Sequence, residues 1–321
     1  MKRNSLLLAT ALLIGMTGCK NTPVQKEAWI SNALDAASYQ LKSTAEELSG
    51  TNKFPRSIHS GYDVNFLDTQ LQRENKAYID SLHPNPEALQ LGQKRLCGIA
   101  DWTSGFFPGS LWYAYELTGD EELKKRAIEY TNILNPIREL KGTHDVGFMM
   151  NCSYGNALRL APNDTIKAVL VETADNLCAR FNPEIGCIRS WDFGAWNFPV
   201  IIDNMMNLDL LFNVYKLTGD EKYKNVAVKH AQTTMKNHFR PDYTSYHVVS
   251  YNNDGSVEIK QTHQGKNCRI GLVARPSVGS IRLHFLLSRN PGHGFPAGSR
   301  SHCRHDYGTC KDGRPDSLLG L

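Results

Sequence analysis

Leu117-Thr118-Gly119-Asp120-Glu121 recurs as Leu217-Thr218-Gly219-Asp220-Glu221, a hundred residues further along the chain. In both strings a Gly ends one helix and an Asp caps the next, which is the turn of an αα-hairpin. Midway, Leu160-Ala161-Pro162-Asn163-Asp164 reads as a third turn of this kind, with Asp again expected to cap. The period is therefore about 50 residues. The flanking segments fit it: 110–117 with 121–134, 148–160 with 165–181, and 200–217 with 221–236.

The first member of each pair is apolar nearly all round. In the last pair it carries Met205, Met206, Leu208, Leu210, Leu211, Phe212 and Val214, the pattern of a buried helix. The second member is amphipathic and rich in Lys and Glu. Buried helices ringed by amphipathic ones make an all-α fold, an (α/α)6 toroid of αα-hairpins. A further amphipathic helix over 32–47 brings the reading to seven helices, where a closed six-hairpin barrel has about twelve. The Pro-bearing stretch 49–97 is expected to be loop over one mouth. Segments 246–251 and 256–261 around Asn253-Asp254-Gly255 are expected to form a β-hairpin.

Composition agrees with a folded domain. The chain has 321 residues, 41% of them hydrophobic and 21% charged, which excludes collagen-like and mostly disordered proteins. The near-neutral body carries no field suited to nucleic acid. Lys2 and Arg3 precede an apolar run over 6–16, and Met16-Thr17-Gly18-Cys19 follows. This resembles a lipobox, so residues 1–18 are expected to be a lipoprotein signal peptide and Cys19 the lipidated first residue of the mature chain. The implied location is outside the cytoplasm, periplasmic or at the cell surface, with the lipid as the only membrane anchor. Pairing among Cys97, Cys152, Cys178 and Cys187 is left open. No metal-ligand spacing, phosphate loop or Ser-His-Asp arrangement appears, and no cofactor is implied.

Aligning the hairpins on their turns puts Asp203 sixteen residues before Gly219 and Asp145 seventeen before Pro162. Both are expected to open a buried inner helix at the same end of adjacent repeats. Neighbouring axes lie about 8–10 Å apart, so the two carboxylates can converge on one mouth of the barrel and serve general acid/base chemistry on a glycosidic substrate. The alternative is that both merely cap their helices, worth roughly 1 kcal/mol each. Trp102, Phe106, Phe107, Trp112, Trp191, Trp196 and Phe198 surround these positions and could present flat faces to sugar rings. Trp112, inside a helix, reads as core, whereas Trp102 is placed to line a cleft. His144, His247 and the His263-Gln264-Gly265 string are either structural or substrate-facing.

Taken together, Asp101-Trp102-Thr103-Ser104-Gly105-Phe106-Phe107-Pro108-Gly109, Thr143-His144-Asp145-Val146-Gly147-Phe148 and Ile201-Ile202-Asp203-Asn204-Met205-Met206-Asn207 resemble the unsaturated glucuronyl hydrolases, glycoside hydrolase family 88. His247, Asn253-Asp254-Gly255 and Thr262-His263-Gln264-Gly265 continue the match, which covers roughly residues 27–265. The resemblance implies an (α/α)6 barrel acting on the 4,5-unsaturated uronic acid at the non-reducing end of lyase-generated oligosaccharides. It implies protonation at C4 of the double bond, addition of water at C5 and release of the neighbouring sugar. Asp203 resembles the general acid/base and Asp145 the second essential carboxylate. Trp102, His144, His247 and Gln264 resemble substrate-binding positions. The unsaturated rhamnogalacturonyl hydrolases are the nearest enzymatic alternative, and a non-catalytic glycan-binding lipoprotein the alternative of another class.

The match stops after Gly265. Residues 267–321 hold seven Arg, eight Gly, four Pro and four His, but no Trp and no Glu. Permitted codons for the stretch from Cys268, read one nucleotide later, give Ala-Gly-Ser-Ala-Trp-Ser-Arg-Gly-Gln-Ala-Trp, a segment of the type found in the family at this point. Residues 19–266 are thus expected to be the N-terminal part of one α/α-barrel domain and 267–321 an out-of-frame tail. With inner helices left uncovered, the 321-residue form is expected to be inactive.

Overall fold

A computed structural model describes residues 27–58, 92–242 and 244–263. The signal peptide, Cys19, Gln264 and the tail 267–321 lie outside them. Among the described residues there are seven α-helices: α1 (Ala28–Glu47), α2 (Phe106–Thr118), α3 (Glu121–Ile133), α4 (Val146–Leu160), α5 (Asp164–Cys178), α6 (Leu208–Thr218) and α7 (Glu221–His238). Helices α2 and α3, α4 and α5, and α6 and α7 form three hairpins. The first members lie side by side in the order α2, α4, α6, with α1 against α2 and α3. This is a partial α/α toroid.

The repeated pentapeptide does the same work twice. Gly119 and Gly219 take left-handed backbone at φ 72° and 75°, and each N–H donates 2.7 Å to a carbonyl, that of Tyr115 or Tyr215. A Cβ is disfavoured in that conformation, so Gly ends the helix. Asp120 Oδ1 then accepts from the Glu122 and Leu123 N–H groups, and Asp220 Oδ1 from that of Lys222. In the middle hairpin the cap is Asn163, whose Oδ1 accepts 2.9 Å from Ile166 N–H. Asp164, expected to cap, instead opens the helix and places its charge in the first turn, where the helix dipole favours it.

The inner helices bury most of their surface. Val146 to Met150 and Leu208 to Phe212 are buried without a break, and Trp112 is wholly buried with its indole N–H donating 2.9 Å to Thr131 Oγ1. The reading of Trp112 as core holds. Among the described residues, none of Cys97, Cys152, Cys178 and Cys187 forms a disulfide.

Three expectations change. The segment 200–217 is not one helix. It runs as strand β5 (Pro199–Ile201), a 3-10 turn over Ile202–Asn207, and only then α6. The β-branched run Val200, Ile201 and Ile202 suits a strand, and β6 (Val248–Tyr251) supplies its partner. Strand β6 pairs in turn with β7 (Val257–Gln261), so the expected hairpin is part of a three-stranded antiparallel sheet. Second, α5 stops at Cys178, and Phe181–Asn182 pairs as β3 with β4 (Cys187–Ile188). Third, the stretch 49–97 is not all loop: β1 (Phe54–Ile58) pairs antiparallel with β2 (Lys94–Cys97).

Candidate active site

The two carboxylates open their segments differently. Asp145 stands immediately before α4, as expected, but its side chain makes no capping bond to the helix. Asp145 Oδ1 lies 3.1 Å from His144 Nε2, and Oδ2 accepts 2.9 Å from the Thr143 hydroxyl. Burial alone would raise its pKa. The charge of His144, the bonds from His144 and Thr143, and the more distant Arg180 outweigh it, so the carboxyl sits below its usual 3.8. Asp145 is therefore held as a carboxylate.

Asp203 lies in the first turn of the 3-10 segment rather than at the head of an α-helix. It is brought to its partner by the sheet. Ile201 sits opposite Val248 across β5 and β6, and Ile202 N–H donates 3.0 Å to the His247 carbonyl. One residue on, Asp203 Oδ2 is 3.6 Å from His247 Nε2. The His263 backbone N–H donates 3.1 Å to His247 Nδ1. That bond requires an unprotonated Nδ1, which leaves the ring proton to Nε2, the nitrogen nearer Asp203. Both histidines are buried, while the Asp145 and Asp203 side chains keep 26% and 22% exposure. The histidines are set behind the carboxylates, and the carboxylates are reachable.

Packing ties the two carboxylate segments together. Asn207, at the end of the 3-10 segment, accepts 2.9 Å from the Phe148 N–H in the first turn of α4. Gly147 makes that approach possible, because a Cβ there would lie 2.5 Å from the Cβ of Asn207. Gly105 does the same for the loop carrying Trp102: its Cβ would lie 2.4 Å from the Met149 carbonyl oxygen. Asn204 Nδ2 donates 2.7 Å to the Ile188 carbonyl, and Ile188 N–H donates 3.0 Å to His230 Nδ1. The turn bearing Asp203 is thus fastened to β4 and, through it, to α7.

Aromatic rings gather in two clusters. Trp102, about half exposed, stands edge-on to Phe106 and Phe148, which stack on each other at 5.5 Å. Phe148 is three residues from Asp145. In the second, Trp191 stacks on exposed Phe193 at 4.9 Å and meets Trp196 and His263, and the His263 ring lies parallel to that of His247. Thr143 and Trp191 share a β-bridge, and the His144 N–H donates 3.0 Å to the Ser190 carbonyl. Arg180 fixes this edge by donating to the carbonyls of Lys141 and Arg189 and gripping Asp192 with two bonds of 3.0 Å.

The structure therefore pairs Asp145 with His144 and Asp203 with His247, links the two segments through Asn207 and Phe148, and sets Trp102 against Phe148. Phe107 is buried against Tyr130 and belongs to the core. Sequence reading missed Asn207, Gly147, Arg180 and Phe193 as contributors. The only signal for Asn207 was its place in the Asp203 string.

The described residues thus form a partial α/α toroid in which Asp145 and Asp203 are each half-buried beside a histidine, with aromatic rings close to both. Comparison with known proteins narrows the class. Residues 1–73 match a family model described as a domain of unknown function. The chain is 52% identical over 169 residues to an unsaturated glucuronyl hydrolase of Formosa agariphila, a match covering 51% of this chain and 42% of that protein. It is 33% identical over 201 residues to an unsaturated chondroitin disaccharide hydrolase of Streptococcus agalactiae, covering 60% of this chain and 49% of that protein. A crystal structure of an unsaturated glucuronyl hydrolase specific for heparin aligns with TM-score 0.71 at 38% identity, over 86% of this chain and 66% of that one. The chain spans about half the length of these curated relatives. By sequence and by fold it is a homologue of the unsaturated glucuronyl hydrolases.

Proposed function

We propose that the complete domain removes the 4,5-unsaturated uronic acid from the non-reducing end of oligosaccharides left by polysaccharide lyases, by hydrating the double bond. The observation that carries this is that Asp145 and Asp203 are each half-buried and set against a buried histidine. Asp203 gives its proton to C4, water adds its oxygen at C5, and the proton released by the water returns to Asp203. The resulting hemiketal opens and the neighbouring sugar leaves. Asp145, kept ionised by His144 and Thr143, accepts a substrate hydroxyl. Trp102 offers a flat face to the ring, His144 and His247 hold the two carboxylates from behind, and Gln264 keeps the substrate-binding role that its string implies.

The names of the relatives favour glycosaminoglycan-derived disaccharides as substrates over pectin-derived ones. Incubating the chain in its restored frame with unsaturated disaccharides of either origin, and following loss of the ultraviolet absorbance of the double bond, tests the proposal. Turnover of pectin fragments alone would favour the rhamnogalacturonyl alternative, and affinity without turnover a glycan-binding protein. Residues 267–321 are read as out of frame, and the 321-residue form as inactive. Resequencing the DNA around codons 265–268 checks the first point. Lipid anchoring at Cys19 is the proposed location device, and Cys19→Ala should release the mature chain from membranes.

A further inference from the structure

Three described helices begin in the same way. Asp120, Asn163 and Asp220 precede α3, α5 and α7 with extended backbone (ψ 109°, 170° and 111°), and the side chain of each accepts from an N–H of the first turn. Helix α4 begins differently. Asp145, the residue type best suited to cap, has helical backbone at φ −62° and ψ −20° and makes no capping bond. The third N–H of the helix, that of Phe148, is instead taken by the Oδ1 of Asn207, from a segment 59 residues away. Asn207 is fully buried, and Gly147 lets its side chain lie against the helix end. An uncapped, buried N–H costs as much as a lost hydrogen bond. A carboxylate next to such a group would be drawn to it.

We infer that Asn207 is a positioning residue that caps α4 in place of Asp145, leaving the Asp145 carboxylate to the site and fixing its segment to that of Asp203. This rests on the proposed role of Asp145. Without the Asn207 amide, the cheapest repair is for Asp145 to turn back to extended backbone and cap its own helix. Its bonds to His144 and Thr143 would be given up.

Two measurements test this. In the restored-frame chain, thermal unfolding of Asn207→Ala is compared with and without Asp145→Ala. With Asp145 present, its carboxylate replaces the cap and the midpoint falls little. Without it the loss grows by about 2–4 °C, the scale of one missing cap in a domain of this size. In the restored-frame chain, Asn207→Ala should lower kcat about 10–100-fold with KM little changed. Asn207→Asp, which keeps an acceptor oxygen at the same reach, should recover most of the loss. Should the Ala variant not fold, Asn207→Ser carries the same comparison. Additive midpoint shifts, or an Ala variant within about twofold of the parent in kcat, overturn the inference. A parent chain without turnover counts against the proposed function instead, and the unfolding comparison still decides the cap.

Discussion

The ends of the outer helices and the mouth of the inner ring use the same residue type to opposite purposes. At the turns 118–122 and 218–222, Asp120 and Asp220 bond the N–H groups of the helices they precede. Their position is structural and their charge faces solvent or a lysine, as Asp120 does with Lys42 at 2.8 Å. At 143–148 and 201–207, Asp145 makes no capping bond, and Asp145 and Asp203 both meet buried histidines. A carboxylate satisfied by backbone N–H groups has little reason to exchange a proton. One set against a histidine and still reachable by solvent is available for chemistry.

The largest expected effect breaks the comparison if it fails. In the restored-frame chain, Asp203→Asn should cost about 10²–10⁴-fold in turnover and leave the unfolding midpoint near that of the parent. Asp220→Asn, which keeps an acceptor oxygen at the cap, should leave turnover alone. Equal effects at the two positions would erase the distinction.

Histidines divide along the same line, and pH exposes it. Burial, with lesser repulsion from His238 and His144, pushes His230 down to about 3, and burial does the same to His238. Both therefore fold neutral and take up protons on unfolding once pH drops below their ordinary 6.5. The stability they allow is complete above pH 6.5 and is lost as pH falls towards 3. The lowered pKa of Asp145 acts only below its usual 3.8, so it adds nothing between pH 7 and 4. The thermal midpoint of the restored-frame chain should fall steadily between pH 7 and 4, and less steeply in His238→Gln. A flat profile over that range would contradict the reading.

Two smaller effects sharpen the picture. Trp102→Ala should raise KM about 3–10-fold, the scale of one aromatic face, and change kcat less. A pure kcat loss would assign the ring to positioning rather than binding. Asp220→Ala should lower stability by about 1 kcal/mol without touching turnover. Asp120→Ala should cost more, because Lys42 of α1 loses its partner as well. Denaturant melts of the two variants measure the difference.

The sequence by itself determined the hairpins. A glycine that ends a helix and an aspartate that starts the next act through bonds spanning two to four residues, so neighbouring residue types suffice to specify them. It also placed Asp145 at the head of an inner helix, and the motif strings singled out Asp203, His144, His247 and Trp102. From sequence the run 200–207 reads as helix, because an apolar stretch has no period of its own. Strand β6, nearly fifty residues later, decides that it pairs. That pairing, and nothing local, sets His247 against Asp203. Only the folded chain shows Asn207 at the end of α4, Arg180 gripping Asp192 beside Trp191, and His230 holding Ile188. Each joins groups 12 to 59 residues apart. Residue type states what such a group can bond, but the closing of the chain chooses the partner.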